Sequence, residues 1–119
     1  MDNQKVYILT LKLIQENQFL LNTYMNVRES GMAKDFFQDV RPYCDELKAA
    51  IDEWLPLAVL WVETNQPKHL FAIQLKNTAE NLQMVSVRAF YPETSLKRFK
   101  SHIQSIDYVL NRLKDELEG

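Results

Sequence analysis

The sequence predicts an all-α protein, an up-down-up-down four-helix bundle that occupies the whole chain, residues 1–119, as a single domain. Three observations favour this fold. Apolar residues recur every three or four positions over long stretches, as they do on the buried face of an α-helix. The chain has 2 glycines and 4 prolines, too few for the many turns of an all-β fold. The segments between the periodic stretches are short, which favours antiparallel neighbours in a bundle.

The first periodic stretch predicts a helix over about residues 3–29. Two adjacent apolar lines run along it and form one wide apolar face. The first line consists of Tyr7, Leu11, Ile14, Leu21 and Met25, and the second consists of Val6, Leu13, Leu20, Tyr24 and Val27. Gly31 follows, and a glycine in this position commonly ends a helix because it adopts the left-handed conformation without strain.

The region from Met32 to Thr64 predicts a less regular second helix. Its apolar residues in helical register are Leu47, Ile51, Trp54, Ala58 and Trp61. Pro42 can open a helix if the preceding segment "KDFFQDVR" forms a separate turn or short helix. Pro56 lies inside the pattern, where a proline removes a backbone hydrogen bond and bends the axis. We therefore predict a kinked second helix, with a break at Pro42 or Pro56 as the alternative.

The last two stretches predict helices over about residues 67–90 and 95–117. Pro67 suits the first turn of the third helix, where its missing N–H costs no hydrogen bond. The seam of the third helix consists of Phe71, Leu75, Thr78, Leu82, Val85 and Ala89. The fourth helix has the most regular seam, which consists of Leu96, Phe99, Ile103, Ile106, Leu110, Leu113 and Leu117. A helix of this length extends roughly 35 Å, so its stripe requires partner helices of similar length.

The composition is that of a folded intracellular protein. Hydrophobic residues make up 46% of the chain and charged residues 25%, which is typical of globular domains. Cys44 is the single cysteine and cannot form an internal disulfide, and the N-terminal segment lacks an apolar core of signal-peptide type. The longest apolar run, "WLPLAVLWV", is too short to cross a bilayer. We therefore expect a cytoplasmic protein without membrane insertion.

The sequence contains no motif for catalysis, a cofactor or a metal ion. Gly31 and Gly119 are too far apart to form the glycine-rich loop of a P-loop or Rossmann site. Neither His69 nor His102 follows a glutamate by three residues, as the histidines of di-iron bundles do. The formal net charge of -2 argues against general nucleic-acid binding. We expect no cofactor and no metal ion.

The stretch "TSLKRFKSH" at the start of the fourth helix carries cations where the helix dipole already presents positive charge. In an up-down-up-down bundle, the ends of helices one and three meet the starts of helices two and four. We call the cations gathered there the basic pole, and its candidate anion-binding or partner-binding residues are Arg28, Arg41, Arg88, Lys97, Arg98 and Lys100, with Lys34 beside them. The acids of the same region are Glu29, Asp35, Asp39 and Glu93. Either acids of neighbouring helices compensate these cations, or the basic pole binds an anion or an acidic partner.

Several short motifs follow one another in a distinctive order, namely "DFFQDVRP" at 35–42, Trp54, "QPKHL" at 66–70, "KRFK" at 97–100 and "YVLNRLKDELE" at 108–118. In these motifs the chain resembles the YppE-like family of small bacterial proteins. The resemblance covers roughly residues 33–118, and the order and spacing of the motifs make it specific. The resemblance implies a four-helix bundle in a cytosolic bacterial setting, and it implies no catalytic residue because the family has no established activity.

These observations favour a non-catalytic binding or interaction module whose basic pole meets an unknown protein or a small anionic ligand. Self-association is open as well, because Asp115, Glu116 and Glu118 make the opposite pole acidic. The alternative is a small-ligand-binding protein or an enzyme with an aromatic-lined cavity in the bundle. The aromatic residues available for such a cavity are Phe36, Phe37, Tyr43, Trp54, Trp61, Phe90 and Tyr91.

Overall fold

The computed structural model describes residues 3–119 as four α-helices and one π-helical turn. The elements are α1 (Asn3–Ser30), the π-helical turn (Phe36–Val40), α2 (Arg41–Asn65), α3 (Ala72–Arg88) and α4 (Leu96–Glu118). Helix α1 packs on α2 and α4, and α3 packs on the same two helices from the opposite side. The described residues contain no β-strand. The predicted all-α four-helix bundle is confirmed.

Contacts near both ends of the bundle show that α1 and α4 are antiparallel. The Tyr7 hydroxyl, at the start of α1, donates a hydrogen bond of 2.6 Å to Glu118 at the end of α4. Near the other end of α1, the Tyr24 ring stacks on Phe99 of α4 with 4.1 Å between centroids. The start of α4 therefore lies beside the end of α1, as the up-down-up-down arrangement requires.

Two further contacts fix the neighbours of α3. The Arg112 guanidinium on α4 donates to the carbonyl of Lys68, just before α3, at 2.8 Å. The N–H of Lys34, in the loop after α1, donates to the carbonyl of Phe90, just after α3, at 3.4 Å. The ends of α1 and α3 therefore meet at one pole of the molecule, as the prediction of a basic pole required.

The bundle axis is filled by the side chains that helical periodicity assigned to it. All five predicted residues on the apolar face of α2 are buried, among them the fully buried Trp54. In α4 the inner seam is buried from Phe99 to Leu113. Of the two lines on α1, the line that includes Leu13 and Leu20 is buried completely, while the other lies at the edge of the core. Burial of these apolar stripes is the main source of stability in such a bundle.

The interruption of the second helical region lies at Pro42. Asp35 caps the π-helical turn, since its side chain accepts a hydrogen bond of 2.8 Å from the N–H of Gln38. Helix α2 then begins with Pro42 in its first turn and passes Pro56 without a break. The carbonyl that loses its donor to Pro56 belongs to Asp52, and both residues are exposed, so water can replace that bond.

Helix α3 begins at Ala72, so the prediction that Pro67 lies in its first turn is wrong. The connection before α3 contains two residues in the left-handed region, Gln66 at φ 47° and His69 at φ 62°. The N–H of Phe71 then donates a hydrogen bond of 2.7 Å to the side-chain oxygen of Gln74, and this bond caps the helix. Phe71 consequently lies outside the helix and is exposed, although its spacing placed it in the seam.

Candidate functional site

The six predicted residues of the basic pole all lie at the end of the bundle where α1 and α3 end and α2 and α4 begin. Arg28 lies in the last turn of α1, and Arg88 is the last residue of α3. Arg41 opens α2, and the other three cations lie in the first two turns of α4. All six side chains are exposed. The topology therefore places at one pole cations that are far apart in the sequence.

Thr94 joins three elements of the basic pole. Its carbonyl accepts hydrogen bonds from the Tyr24 hydroxyl and, at 3.4 Å, from the Arg28 guanidinium. The same guanidinium also lies 3.2 Å from the Tyr24 hydroxyl oxygen. The Thr94 hydroxyl donates to the carbonyl of Arg88 at 3.1 Å. These bonds hold the ends of α1 and α3 against the segment that leads into α4.

Most cations of the basic pole have no carboxylate partner. Arg41 lies 3.8 Å from Asp45, and both side chains are exposed. Within residues 3–119, no carboxylate oxygen lies within 4.0 Å of the side-chain nitrogens of the other five, which are Arg28, Arg88, Lys97, Arg98 and Lys100. Four of the eight other Lys and Arg side chains are paired, namely Lys5, Lys48, Arg112 and Lys114. Positive charge is thus less compensated at the basic pole.

The three cations of the basic pole that lie on α4, which are Lys97, Arg98 and Lys100, point in different directions around the helix axis. Successive residues are turned by ~100° around the axis, so Arg98 and Lys100 flank the buried Phe99 on opposite sides. Lys97 points away from the core. The cap of α4 is a neutral side chain, because the Ser95 hydroxyl oxygen accepts from the N–H of Arg98 at 3.4 Å. These three cations consequently form a broad positive surface and do not converge on one small ion.

A groove with aromatic walls lies beside the basic pole, between α1, the π-helical turn and the segment after α3. Its volume is 480 Å³. We call it the aromatic groove, and its lining residues are Phe19, Thr23, Asn26, Val27, Ser30, Lys34, Asp39 and Phe90. The ring of Tyr43 lies next to it, 5.3 Å from the Phe19 centroid and 5.8 Å from the Phe90 centroid.

The aromatic residues predicted to line a cavity divide into three groups. Trp54 and Trp61 belong to the core. Phe90 lines the aromatic groove, Tyr43 lies next to it and Tyr91 is half-buried after Phe90. Phe36 and Phe37 are exposed on the π-helical turn, with their rings 5.2 Å apart and nearly perpendicular. Phe19 was missed because it lies off both apolar lines of α1. Its sequence signal is that it is a large aromatic residue on the otherwise polar side of that helix.

Tyr43 is a hydrogen-bond donor that does not ionise near neutral pH. Partial burial raises the pKa of its hydroxyl well above the usual range, and the hydrogen bond of 2.8 Å to the Glu16 carboxylate raises it further. The phenol therefore keeps its proton and joins α2 to α1. It is poorly suited to act as a general base.

This raised pKa predicts a loss of stability at alkaline pH. In the unfolded chain Tyr43 ionises at about pH 10, whereas the native state retains the proton. The contribution of the protonated Tyr43 to the stability of the native state is therefore present below about pH 10 and is lost as the pH rises above it. We expect the free energy of unfolding, measured in urea from about pH 9 to about pH 11, to fall more steeply for the native sequence than for Tyr43→Phe. Equal slopes would contradict the assignment.

The described residues also bear on two other functional classes, metal-binding proteins and membrane-spanning proteins. Among residues 3–119, no three His, Cys, Asp or Glu side chains are grouped so that they could hold a metal ion. None of the helices in the same part of the chain is both long and apolar enough to cross a membrane. A second open cleft, of 730 Å³, lies at the opposite pole around the 66–71 connection and is lined mainly by apolar groups.

Comparison with known proteins gives a consistent result. The profile of a family described as a bacterial domain of unknown function (DUF1798) matches residues 10–117. The uncharacterised protein YppE of Bacillus subtilis is 23% identical over 115 residues, which cover 97% of this chain and 94% of YppE.

Solved structures agree with this match. A protein of unknown function from Listeria innocua is 35% identical, with a TM-score of 0.93 over 98% of this chain and 93% of that chain. The crystal structure of B. subtilis YppE also gives a TM-score of 0.93, at 23% identity, over 99% of this chain and 96% of that chain. The four-helix arrangement described above is therefore shared with experimental structures.

Proposed function

This chain belongs to the bacterial family DUF1798, and from that premise we propose that it is a non-catalytic cytoplasmic binding module whose basic pole holds an anionic or acidic partner. The membership confirms the resemblance to YppE-like proteins that the motifs indicated. The family description names no activity, so the proposal rests on the chain's own residues.

The observation that carries the proposal is the absence, within residues 3–119, of carboxylates within 4.0 Å of Arg88 and of the three cations near the start of α4, which are Lys97, Arg98 and Lys100. A cation at an exposed helix N-terminus is unfavourable by about 0.3–1 kcal/mol. Lys97 and Arg98 lie in the first turn of α4 and have no nearby acid to offset this unfavourable term, and Lys100 adds positive charge in the second turn. An external anion would remove the repulsion and gain charge-assisted hydrogen bonds.

The opposite pole supports a separate partner over head-to-tail self-association. Glu116 pairs with Arg112 at 3.1 Å, and Lys114 lies 3.5 Å from Asp115 and 3.6 Å from Glu118. These acids already have cations within the same chain. The acidic pole of a second copy is therefore a weaker partner for the basic pole than a molecule with unpaired acids.

The aromatic groove favours small-ligand binding as a second candidate function, because its 480 Å³ lies within the range of ligand sites. Catalysis there has less support. Tyr43 retains its proton, and the groove lining contains no histidine or cysteine. A neutral ligand that raised the melting temperature equally at low and high salt would favour this second function over the basic pole.

Reversing the charge of Lys97, Arg98 and Lys100 together to glutamate tests the proposal. We expect folding to be retained, or improved by up to about 1 kcal/mol per site, because acids suit a helix N-terminus. We expect binding of a fluorescein-labelled polyglutamate to be lost, whereas the native sequence binds it with an affinity that falls as sodium chloride is raised. Fluorescence anisotropy measures the binding, and urea unfolding measures the stability.

A matched control changes Lys12, Lys68 and Lys76 to glutamate. These lysines lie outside the basic pole, are exposed and have no carboxylate within 4.0 Å among residues 3–119, so the net charge changes equally. The control should retain most of the binding. Equal loss in both variants would attribute the binding to overall charge, and a clear loss of stability in the first variant would show that its cations stabilise the native fold.

A further inference from the structure

We infer that the aromatic groove and the basic pole form one docking surface, and that its partner is an acidic peptide segment with an apolar anchor side chain. The inference deepens the proposed function and rests on it. The acids of the segment would meet the cations, and the anchor would enter the groove. The partner is therefore defined by two features that occur together in its sequence.

The aromatic groove and the basic pole lie side by side, because several residues of the groove are close neighbours in the chain of residues of the pole. Val27 in the groove precedes Arg28, Asp39 precedes Arg41 by two positions, and Phe90 follows Arg88 by two. Residues two apart are separated by no more than ~7 Å along the backbone. A peptide lying across the end of the bundle would reach both surfaces at once.

Lys34 belongs to both surfaces. It is one of the residues that line the aromatic groove, and its N–H donates to the carbonyl of Phe90 at 3.4 Å. This bond joins the loop after α1 to the segment after α3. A cation is therefore placed at the mouth of an apolar groove, where it can meet a carboxylate next to the anchor side chain.

Several large apolar side chains of this region are exposed to solvent. Phe19 is 47% exposed, and Phe36 and Phe37 on the neighbouring turn are 44% and 72% exposed. Met32, in the loop between α1 and that turn, is 72% exposed. A concentration of exposed large apolar residues marks an interaction surface. Phe19 lines the aromatic groove itself, and a groove of this kind suits one protruding side chain of a partner.

Charge complementarity with the basic pole predicts that the partner's peptide segment is acidic. Two nearby acids are already engaged by the backbone, since Asp35 accepts from the N–H of Gln38 at 2.8 Å and Asp39 accepts from the N–H of Asp35 at 3.3 Å. These carboxylates cap the π-helical turn and do not pair with the cations of the pole. The positive surface is consequently left for carboxylates of the partner.

Other anionic partners fit the surface less well. A single phosphate would contact few of the cations of α4, because they point in different directions. The rings of Phe36 and Phe37 meet at 87°, so they do not offer parallel faces for the stacked bases of a nucleic acid. A flat lipid surface would not enter a groove, and the net charge of -2 disfavours anionic lipid.

The test selects peptides from a phage-displayed random library on the immobilised full chain. We expect the selected sequences to combine Asp or Glu with a Leu, Ile, Met, Phe or Trp, and to bind with salt-sensitive affinity. Thr23→Trp, which fills the groove from α1, should weaken the synthetic selected peptide at least about tenfold, equivalent to about 1.4 kcal/mol. The control Gln15→Trp places the same side chain on an exposed site of α1 outside the groove and should leave binding unchanged.

Each outcome separates the inference from the proposed function. Asn26→Trp fills the same groove from an exposed position and replaces Thr23→Trp if the latter lowers stability. Acidic peptides without a shared apolar residue, or unchanged binding in both groove variants, would overturn the inference while the proposed function stands. Selected peptides whose binding is insensitive to salt and to charge reversal of the pole would overturn both. Tighter binding of a single-stranded oligonucleotide or of phosphatidylglycerol vesicles would overturn the peptide as partner and retain the basic pole.

Discussion

Replacing Trp54 by alanine is expected to lower the free energy of unfolding by about 3–5 kcal/mol, the range for truncation of a buried aromatic side chain. Trp54 is fully buried on α2 and is among the largest side chains of the core. Its indole N–H donates to the Thr10 hydroxyl on α1 at 3.0 Å, so the truncation leaves a cavity and removes a link between two helices. Urea denaturation followed by circular dichroism measures the change.

Two variants with smaller changes separate the contribution of packing from that of the hydrogen bond. Trp54→Phe keeps most of the ring but removes the N–H donor, and Thr10→Val removes the hydroxyl that accepts it. Thr10 also donates to the carbonyl of Val6 at 2.7 Å, so its own hydroxyl remains bonded in Trp54→Phe. We expect Thr10→Val to cost about 1–3 kcal/mol because it leaves the buried N–H unpaired. A smaller loss for Trp54→Ala than for Thr10→Val would contradict the central packing role of the indole.

The fold could be predicted because each buried face repeats with the period of an α-helix. On α4 the side chains from Phe99 to Leu113 that match this period are buried, and the fully regular seam left no alternative. The core of α1 also contains Asn17, which lies between Leu13 and Leu20 on the buried side. Its amide donates to the carbonyl of Ile103 at 3.1 Å. A pattern of apolar residues cannot find such a position, because its burial depends on a contact with another helix.

The start of α3 could not be predicted because backbone conformation decided it. Gln66 and His69 adopt left-handed conformations, which are uncommon for residues other than glycine. Pro67 therefore gave a misleading signal, since it is compatible with a first helical turn but does not require one. The helix begins at Ala72, directly after Phe71, whose N–H donates to the side chain of Gln74.

The positions of the basic pole follow from topology, but its lack of ion pairs does not. Pairs within one helix, such as Lys48 with Asp52 at 2.7 Å, can be anticipated from their spacing of four residues. The pair of Lys5 on α1 with Glu53 on α2, at 3.2 Å, depends on the relative register of two helices. The aromatic groove likewise depends on how the π-helical turn packs beside α1, and Phe19 has no periodicity that would reveal it.

Phe99 connects the basic pole to the core of the bundle. Phe99 is buried beneath the cations of α4, and its ring stacks on Tyr24 with 4.1 Å between centroids. Tyr24 in turn bonds to the carbonyl of Thr94, which Arg28 also contacts. The aromatic pair therefore helps to fix the position of the cations relative to α1.

Phe99→Ala is accordingly expected to lower the free energy of unfolding by about 3–5 kcal/mol and also to weaken binding of labelled polyglutamate under conditions where the variant is still folded. The control is Tyr24→Phe, which retains the ring stack, loses only the hydroxyl bonds, and should cost about 0.5–1.5 kcal/mol. Urea unfolding and fluorescence anisotropy on the same samples measure both effects. If folded Phe99→Ala bound polyglutamate as tightly as the native sequence, the aromatic pair would stabilise the bundle without positioning the cations of the pole.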